Sequence, residues 1–157
     1  MRKLNILLVD DNPNFLKAAR EVLAVLPGVA GVECAASGEE ALALAGRSRP
    51  DLVLTDLVMP AMSGFEVIRN LRAHETPPRI VVLTLHEGAE YRAAARRSGA
   101  DSLVPKHEFG AHIPALIASL ASNGNDKVRA RRADDARFAA ADPAASAESG
   151  DPALSPA

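Results

Sequence analysis

The sequence predicts a doubly wound α/β domain on a five-stranded parallel sheet, and three observations predict it. Five short aliphatic runs alternate with stretches of helical periodicity between Leu4 and Leu120. Loop signals rich in Pro and Gly bound most of these segments. Runs this short and this apolar suit strands covered by helices on both faces, joined by right-handed crossovers. A chain of 157 residues, 48% apolar, is long enough for one compact domain with a proper core. Aromatics are only 3%, so that core must be aliphatic.

Leu4 to Val9 reads as the first strand and ends in two acids, Asp10 and Asp11. Asn12-Pro13 then supplies a cap followed by proline in the first helical turn. The helix carries Phe15, Leu16, Ala19, Val22, Leu23 and Leu26 at three- and four-residue spacing and stops at Pro27-Gly28. Val32 to Ala36 is a short second strand. Ser37-Gly38-Glu39-Glu40 has the capping-box pattern and opens a second helix with Ala41, Leu42, Leu44 and Ala45, ending near Gly46. Asp51 to Asp56 is the third strand, and its loop runs through Met59-Pro60 to Gly64. Ser63-Gly64-Phe65-Glu66 starts a third helix with Val67, Ile68 and Leu71, and Pro77-Pro78 ends that connection.

Arg79 to Thr84 is the fourth strand, and Ala89 to Ser98 a polar helix stopped by Gly99-Ala100. Asp101 to Val104 is the fifth strand, followed by Pro105-Lys106. The last helix carries Ile113, Leu116, Ile117 and Leu120. Pro114 is expected in its first turn, because an interior proline loses a hydrogen bond and clashes with the preceding turn. Past Asn123-Gly124-Asn125 the chain is alanine, serine, proline and charge. Residues 1–122 are therefore expected as one domain and 123–157 as a disordered tail. The basic cluster Lys127 to Arg132 is offset by Asp134, Asp135 and Asp142, and reads as a solvated segment.

A net charge of −2 argues against a general binder of nucleic acid or bilayer surface. Cys34 is the single cysteine, so no internal disulfide can form, and it is expected as a small buried hydrophobe. No stretch resembles a signal peptide and no run approaches the length of a membrane span, so a cytoplasmic protein is expected.

The chemistry collects at strand ends: Asp10, Asp11, Asp56, Thr84 and Lys106. In a flavodoxin-like strand order, 2-1-3-4-5, the first and third strands flank the topological switch point, where ligands bind. That order brings Asp10, Asp11 and Asp56 together. Three carboxylates in one cleft repel one another unless a cation sits among them, and hard oxygens favour magnesium. A carboxylate can itself act as the nucleophile that forms an acyl phosphate. Lys106 and Thr84 offer a fixed charge and a hydroxyl to phosphoryl oxygens. Singly, each residue is better explained as a cap, a strand former or a solvated charge. Their joint placement at successive strand ends is not.

With those residues in place, residues 4 to about 121 resemble the receiver domain of two-component response regulators. The matching features are Asp10-Asp11, Asp56 with Met59-Pro60 and Gly64, Thr84, and Pro105-Lys106. The resemblance implies that Asp56 is the phosphoacceptor, and that Asp10, Asp11, Asp56 and the Val58 backbone carbonyl hold Mg2+. It implies also that Thr84 swings toward the phosphoryl group and Lys106 pairs with it. The donor would be a sensor histidine kinase or phosphotransfer protein, and a downstream protein target would read the result. Such a protein is a phosphoacceptor that catalyses its own phosphorylation and dephosphorylation, not an enzyme acting on a separate substrate. A stand-alone receiver is expected, with no direct DNA binding and no membrane contact, because the tail lacks the apolar pattern of a helix-turn-helix unit.

Three positions depart from the family pattern: Leu103 in place of an aromatic switch residue, His107 in place of a proline after the lysine, and bulky Leu85 after Thr84. Leu103 and Leu85 keep alive a phosphate-independent scaffold, and the Lys106-His107-Glu108 junction keeps alive a fragment of a DNA-binding transcriptional regulator. A phosphatase with an aspartyl-phosphate intermediate would want a second acid two residues past Asp56, where Val58 stands.

Overall fold

The computed structural model describes residues 2–86 and 88–122. The expected tail, with its basic cluster, lies outside them. The strands are β1 (Leu4–Val9), β2 (Val29–Ala35), β3 (Leu52–Thr55), β4 (Arg79–Thr84) and β5 (Ser102–Pro105). The helices are α1 (Pro13–Ala24), α2 (Gly38–Ser48), α3 (Gly64–Arg72), α4 (Ala89–Ser98) and α5 (Phe109–Ser122). The sheet order is β2-β1-β3-β4-β5 and the four pairings are parallel, as predicted.

Two aliphatic layers cover the sheet. On one face Leu7, Val9, Val53, Ile80 and Val82 pack with Ala41, Ala45, Val67, Ile68, Leu71 and Ala95 of α2 to α4. On the other, Leu4, Ile6, Leu8, Leu54, Val81 and Leu83 meet Ala19 and Leu23 of α1 and Ile113, Leu116 and Ile117 of α5. Each fully buried Leu or Ile contributes about 1.5–3 kcal/mol, enough to hold the sheet with little aromatic help.

The starts of α1, α2 and α3 carry the Asn and Ser caps the sequence suggests, although the Glu40 carboxylate accepts from Ala36 N and not from Ser37 N as a full capping box would have it. The Asn12 side chain accepts from Asn14 N and Phe15 N, Ser37 from Glu40 N, and Ser63 from Glu66 N. Gly99, at φ 110°, ends α4 in the left-handed region that favours glycine. Among the described residues no helix is long and apolar enough to cross a membrane.

Several expectations need correction. Pro114 lies in the interior of α5, not its first turn. A 3₁₀ turn, Lys106–Glu108, runs directly into a helix that begins at Phe109. Phe109 and Ile113, one turn apart, are both buried, so apolar burial carries the helix N-terminal of the proline. The carbonyl deprived of its donor belongs to exposed Gly110, where water can satisfy it. β2 starts three residues early because Leu4 pairs with Val29, the register then shifting before Asn5 meets Gly31. β3 begins one residue late and stops at Thr55, β5 sits one residue late, and α1 ends at Ala24 rather than at Pro27. Cys34 is half-buried rather than buried, on an edge strand, and burial pushes its thiol pKa up.

Candidate functional site

β1 is followed by a crossover to the outer strand β2, whereas β3 continues to β4 on the other side. The gap between the C-terminal ends of β1 and β3 is therefore the switch point, and Asp10 and Asp56 are the residues that follow those strands. The backbone fixes them there: Asp10 N donates to Ala35 O at 3.1 Å and Asp56 N to Val9 O at 3.0 Å.

Asp10 is 1% exposed and Asp56 8%. With exposed Asp11 they each bring a carboxylate oxygen within 4.8 Å of the others. Asp10 Oδ1 accepts from Asn12 N at 2.9 Å, and Asp56 Oδ1 from Leu57 N at 2.7 Å. Lys106 reaches in from the 3₁₀ turn after β5 and sets its Nζ 2.6 Å from Asp10 Oδ2 and 3.3 Å from Asp56 Oδ2. Asp10 Oδ2 is fully enclosed and, apart from that ion pair, has no hydrogen-bond donor. An enclosed oxygen short of donors, beside two further carboxylates, is a donor set that suits a hard divalent cation.

Electrostatics at the site are divided. Burial pushes the Asp56 pKa up, Lys106 pulls it down, Asp10 pushes it up again, and the balance is raised. For Lys106 burial works against the charge, but the contact with Asp10 and the fields of Asp56 and Asp10 outweigh it, so its pKa stands above that of an ordinary lysine. Lys106 lowers the Asp56 pKa by more than Asp10 raises it, so burial is what leaves the balance raised.

Thr84, fully buried at the end of β4, accepts from His86 N at 3.0 Å through its hydroxyl. It thus stands at the site's edge, bonded to its own loop rather than to the acids. Val58 is exposed, two residues past Asp56. Leu103 is buried in the sheet, Leu85 is exposed, and His107 lies in the 3₁₀ turn with no cis bond near it.

Two aromatic features are not legible in the sequence. Phe15 reads there as one more apolar residue of α1, yet its ring centroid lies 4.5 Å from Lys106 Nζ. An aromatic one turn after an acid pair was the available signal. The His86 ring stacks on Tyr91 at 4.7 Å, beside Thr84, and no periodicity could have paired them.

Gly64 fixes the loop that carries the site. A Cβ there would stand 1.9 Å from the Asp56 carbonyl oxygen and 2.7 Å from Leu57 Cα. Backbone cannot move aside as a side chain can, so Gly64→Ala must displace the acid itself. A loss of about 1–3 kcal/mol is expected, read in a thermal melt; an unchanged melting temperature would contradict this packing.

A family profile for the response regulator receiver domain matches residues 6–130, more than two thirds of the chain. The chain belongs to the response regulator receiver family. Its described fold covers the match as far as Ser122. A response regulator receiver protein of Anaeromyxobacter sp. (strain Fw109-5) is 40% identical over 100 residues, 64% of this chain and 41% of its own. Response regulator MprA of Mycobacterium sp. (strain KMS) is 40% identical over 120 residues, 73% of this chain and 50% of its own. The receiver thus spans about half the length of the curated relatives it matches. Among solved structures, a LuxR-family two-component response regulator from Aurantimonas sp. SI85-9A1 superposes with TM-score 0.70 at 28% identity, covering 85% of this chain and 99% of that one. Chemotaxis response regulator CheY4 of Vibrio cholerae gives TM-score 0.59 at 32% identity, covering 66% of this chain and 87% of that one.

Proposed function

We propose that the receiver accepts a phosphoryl group on Asp56 from a phosphohistidine, carried by a sensor histidine kinase or a phosphotransfer protein. The observation that carries this reading is the grouping of Asp10, Asp11 and Asp56 within 4.8 Å, with Lys106 ion-paired to two of them. A carboxylate oxygen of Asp56 attacks phosphorus, the P–N bond breaks, and the imidazole leaves with its electron pair and takes up a proton. Lys106 neutralises charge on the transferred group and the Thr84 hydroxyl, released from His86 N, donates to one of its oxygens. Asp10, Asp11, Asp56 and the Val58 carbonyl would hold Mg2+, which supplies positive charge against the acids and the incoming group. Water attack on the acyl phosphate resets the site, so the receiver is a self-modifying phosphoacceptor rather than an enzyme with a separate substrate.

The output is a phosphorylation-dependent contact with a downstream protein in the cytoplasm. Incubation with acetyl phosphate and Mg2+ followed by intact-mass measurement tests the reading. One added phosphoryl group supports it; none would leave a phosphate-independent scaffold. A second reading, kept open by the Lys106-His107-Glu108 junction, makes this receiver part of a longer DNA-binding regulator, and the length of the relatives favours a longer protein. DNA binding that appears only on phosphorylation of the chain itself would favour direct DNA contact over a protein target.

A further inference from the structure

We propose that Phe15 is a positioning residue for Lys106, holding the ammonium at the Asp10–Asp56 edge where the phosphoryl group arrives. The proposal rests on the reading of Asp56 as phosphoacceptor and deepens it.

The Lys106 ammonium is enclosed on three sides. Asp10 Oδ2 lies 2.6 Å away, Asp56 Oδ2 3.3 Å, and the Phe15 ring centroid 4.5 Å. Carboxylates attract an ammonium but do not choose between its many stem rotamers. A ring face does both, because its negative quadrupole attracts the charge while its breadth blocks other directions. The attraction is strongest where water is excluded, and the Lys106 side chain is only 10% exposed.

The ring is itself held. Phe109 meets Phe15 edge to face at 6.2 Å and 89°, and Phe109 is buried. Lys106 and Phe109 belong to one 3₁₀ turn and the helix start after it, so a single backbone segment delivers the ammonium and the brace for its ring. The other side is tied as tightly. Asn12 N donates to Asp10 Oδ1 at 2.9 Å, and Asn12 Oδ1 accepts from Phe15 N at 3.3 Å. One capping residue thus fixes both the carboxylate and the π face that contact Lys106. A leucine at position 15 would fill much of the volume but present no quadrupole.

Two measurements on the full chain test this together. First, phenylalanine analogues of increasing ring fluorination, incorporated at position 15, weaken the quadrupole with little change of shape. The rate of Asp56 labelling by acetyl phosphate at saturating Mg2+ is expected to fall at each step, about threefold or more across the series, and Phe15→Tyr to stay near the parent rate. Second, Phe15→Leu is expected to lower the metal-free melting temperature by several degrees in the parent and by clearly less in Lys106→Met. A rate that ignores fluorination overturns the proposal, even with coupled melts, because the ring then only braces the fold. Additive melts overturn it as well. If the parent takes up no phosphoryl group, the reading of Asp56 fails instead, and the melt cycle still decides whether the ring holds the ammonium.

Discussion

Asp56→Asn is expected to abolish phosphoryl uptake and, in the same variant, to raise the melting temperature of the metal-free domain. The first effect follows because the amide is no nucleophile toward phosphorus. The second follows from the sign of the pKa shift. The folded state raises the Asp56 pKa above its ordinary carboxylate value, through burial first and then Asp10, despite Lys106. An acid shifted upward is stabilised in its protonated form, so its contribution is present at low pH and is lost as pH rises through the folded value. At neutral pH the charged carboxylate therefore costs stability, and asparagine of nearly the same shape removes that cost. Melts of parent and variant from mildly acid to neutral pH check both points: the gap in favour of the variant should widen as pH rises. A variant less stable than the parent at neutral pH would show that Asp56 is held by its partners more than it is strained by them.

Lys106→Ala is expected to lower metal-free stability by about 3 kcal/mol, toward the lower end for breaking a buried ion pair because the acids left behind can take up a proton. It leaves Asp10, 1% exposed, with no counter-charge near Oδ2, and it strips the Phe15 ring of its cation. A divalent cation would supply the missing charge, so added Mg2+ should narrow the gap to the parent. Asp11→Ala should behave in the opposite way. Asp11 is exposed and adds negative charge to the cluster, so its removal should leave the metal-free protein as stable as the parent or slightly more so. Mg2+ binding should weaken in that variant and labelling should be lost. Thermal melts with and without Mg2+ separate the two substitutions. A loss of metal-free stability in Asp11→Ala with labelling intact would make Asp11 a helix-capping acid and remove it from the metal site.

The strand order and the meeting of Asp10, Asp11 and Asp56 were legible because both follow from alternation. Aliphatic runs too short for helices must pair, and right-handed crossovers leave few orders that bring two acidic strand ends together. Lys106 was legible as a residue but not as a partner of Asp10, since an ion pair across the sheet depends on how far β5 twists its end toward β1. The start of α5 is not legible, because local propensity puts Pro114 in a first turn while the burial that overrides it exists only in the packed structure. Phe109 and Ile113 decide that helix, and their partners lie in other elements. The contact of Phe15 with Lys106 was hidden for the same reason. It joins residues 91 positions apart, and local periodicity describes Phe15 only as one more member of an apolar helix face.

Locating the phosphoryl group on the chain tests the central claim most directly. Borohydride reduces an aspartyl phosphate to homoserine, so peptide mapping after labelling with acetyl phosphate and Mg2+ marks the acceptor by residue. The arrangement at the β1–β3 switch point predicts homoserine at position 56 and aspartate unchanged at positions 10 and 11. Homoserine at either of those two positions, or at none, would contradict it.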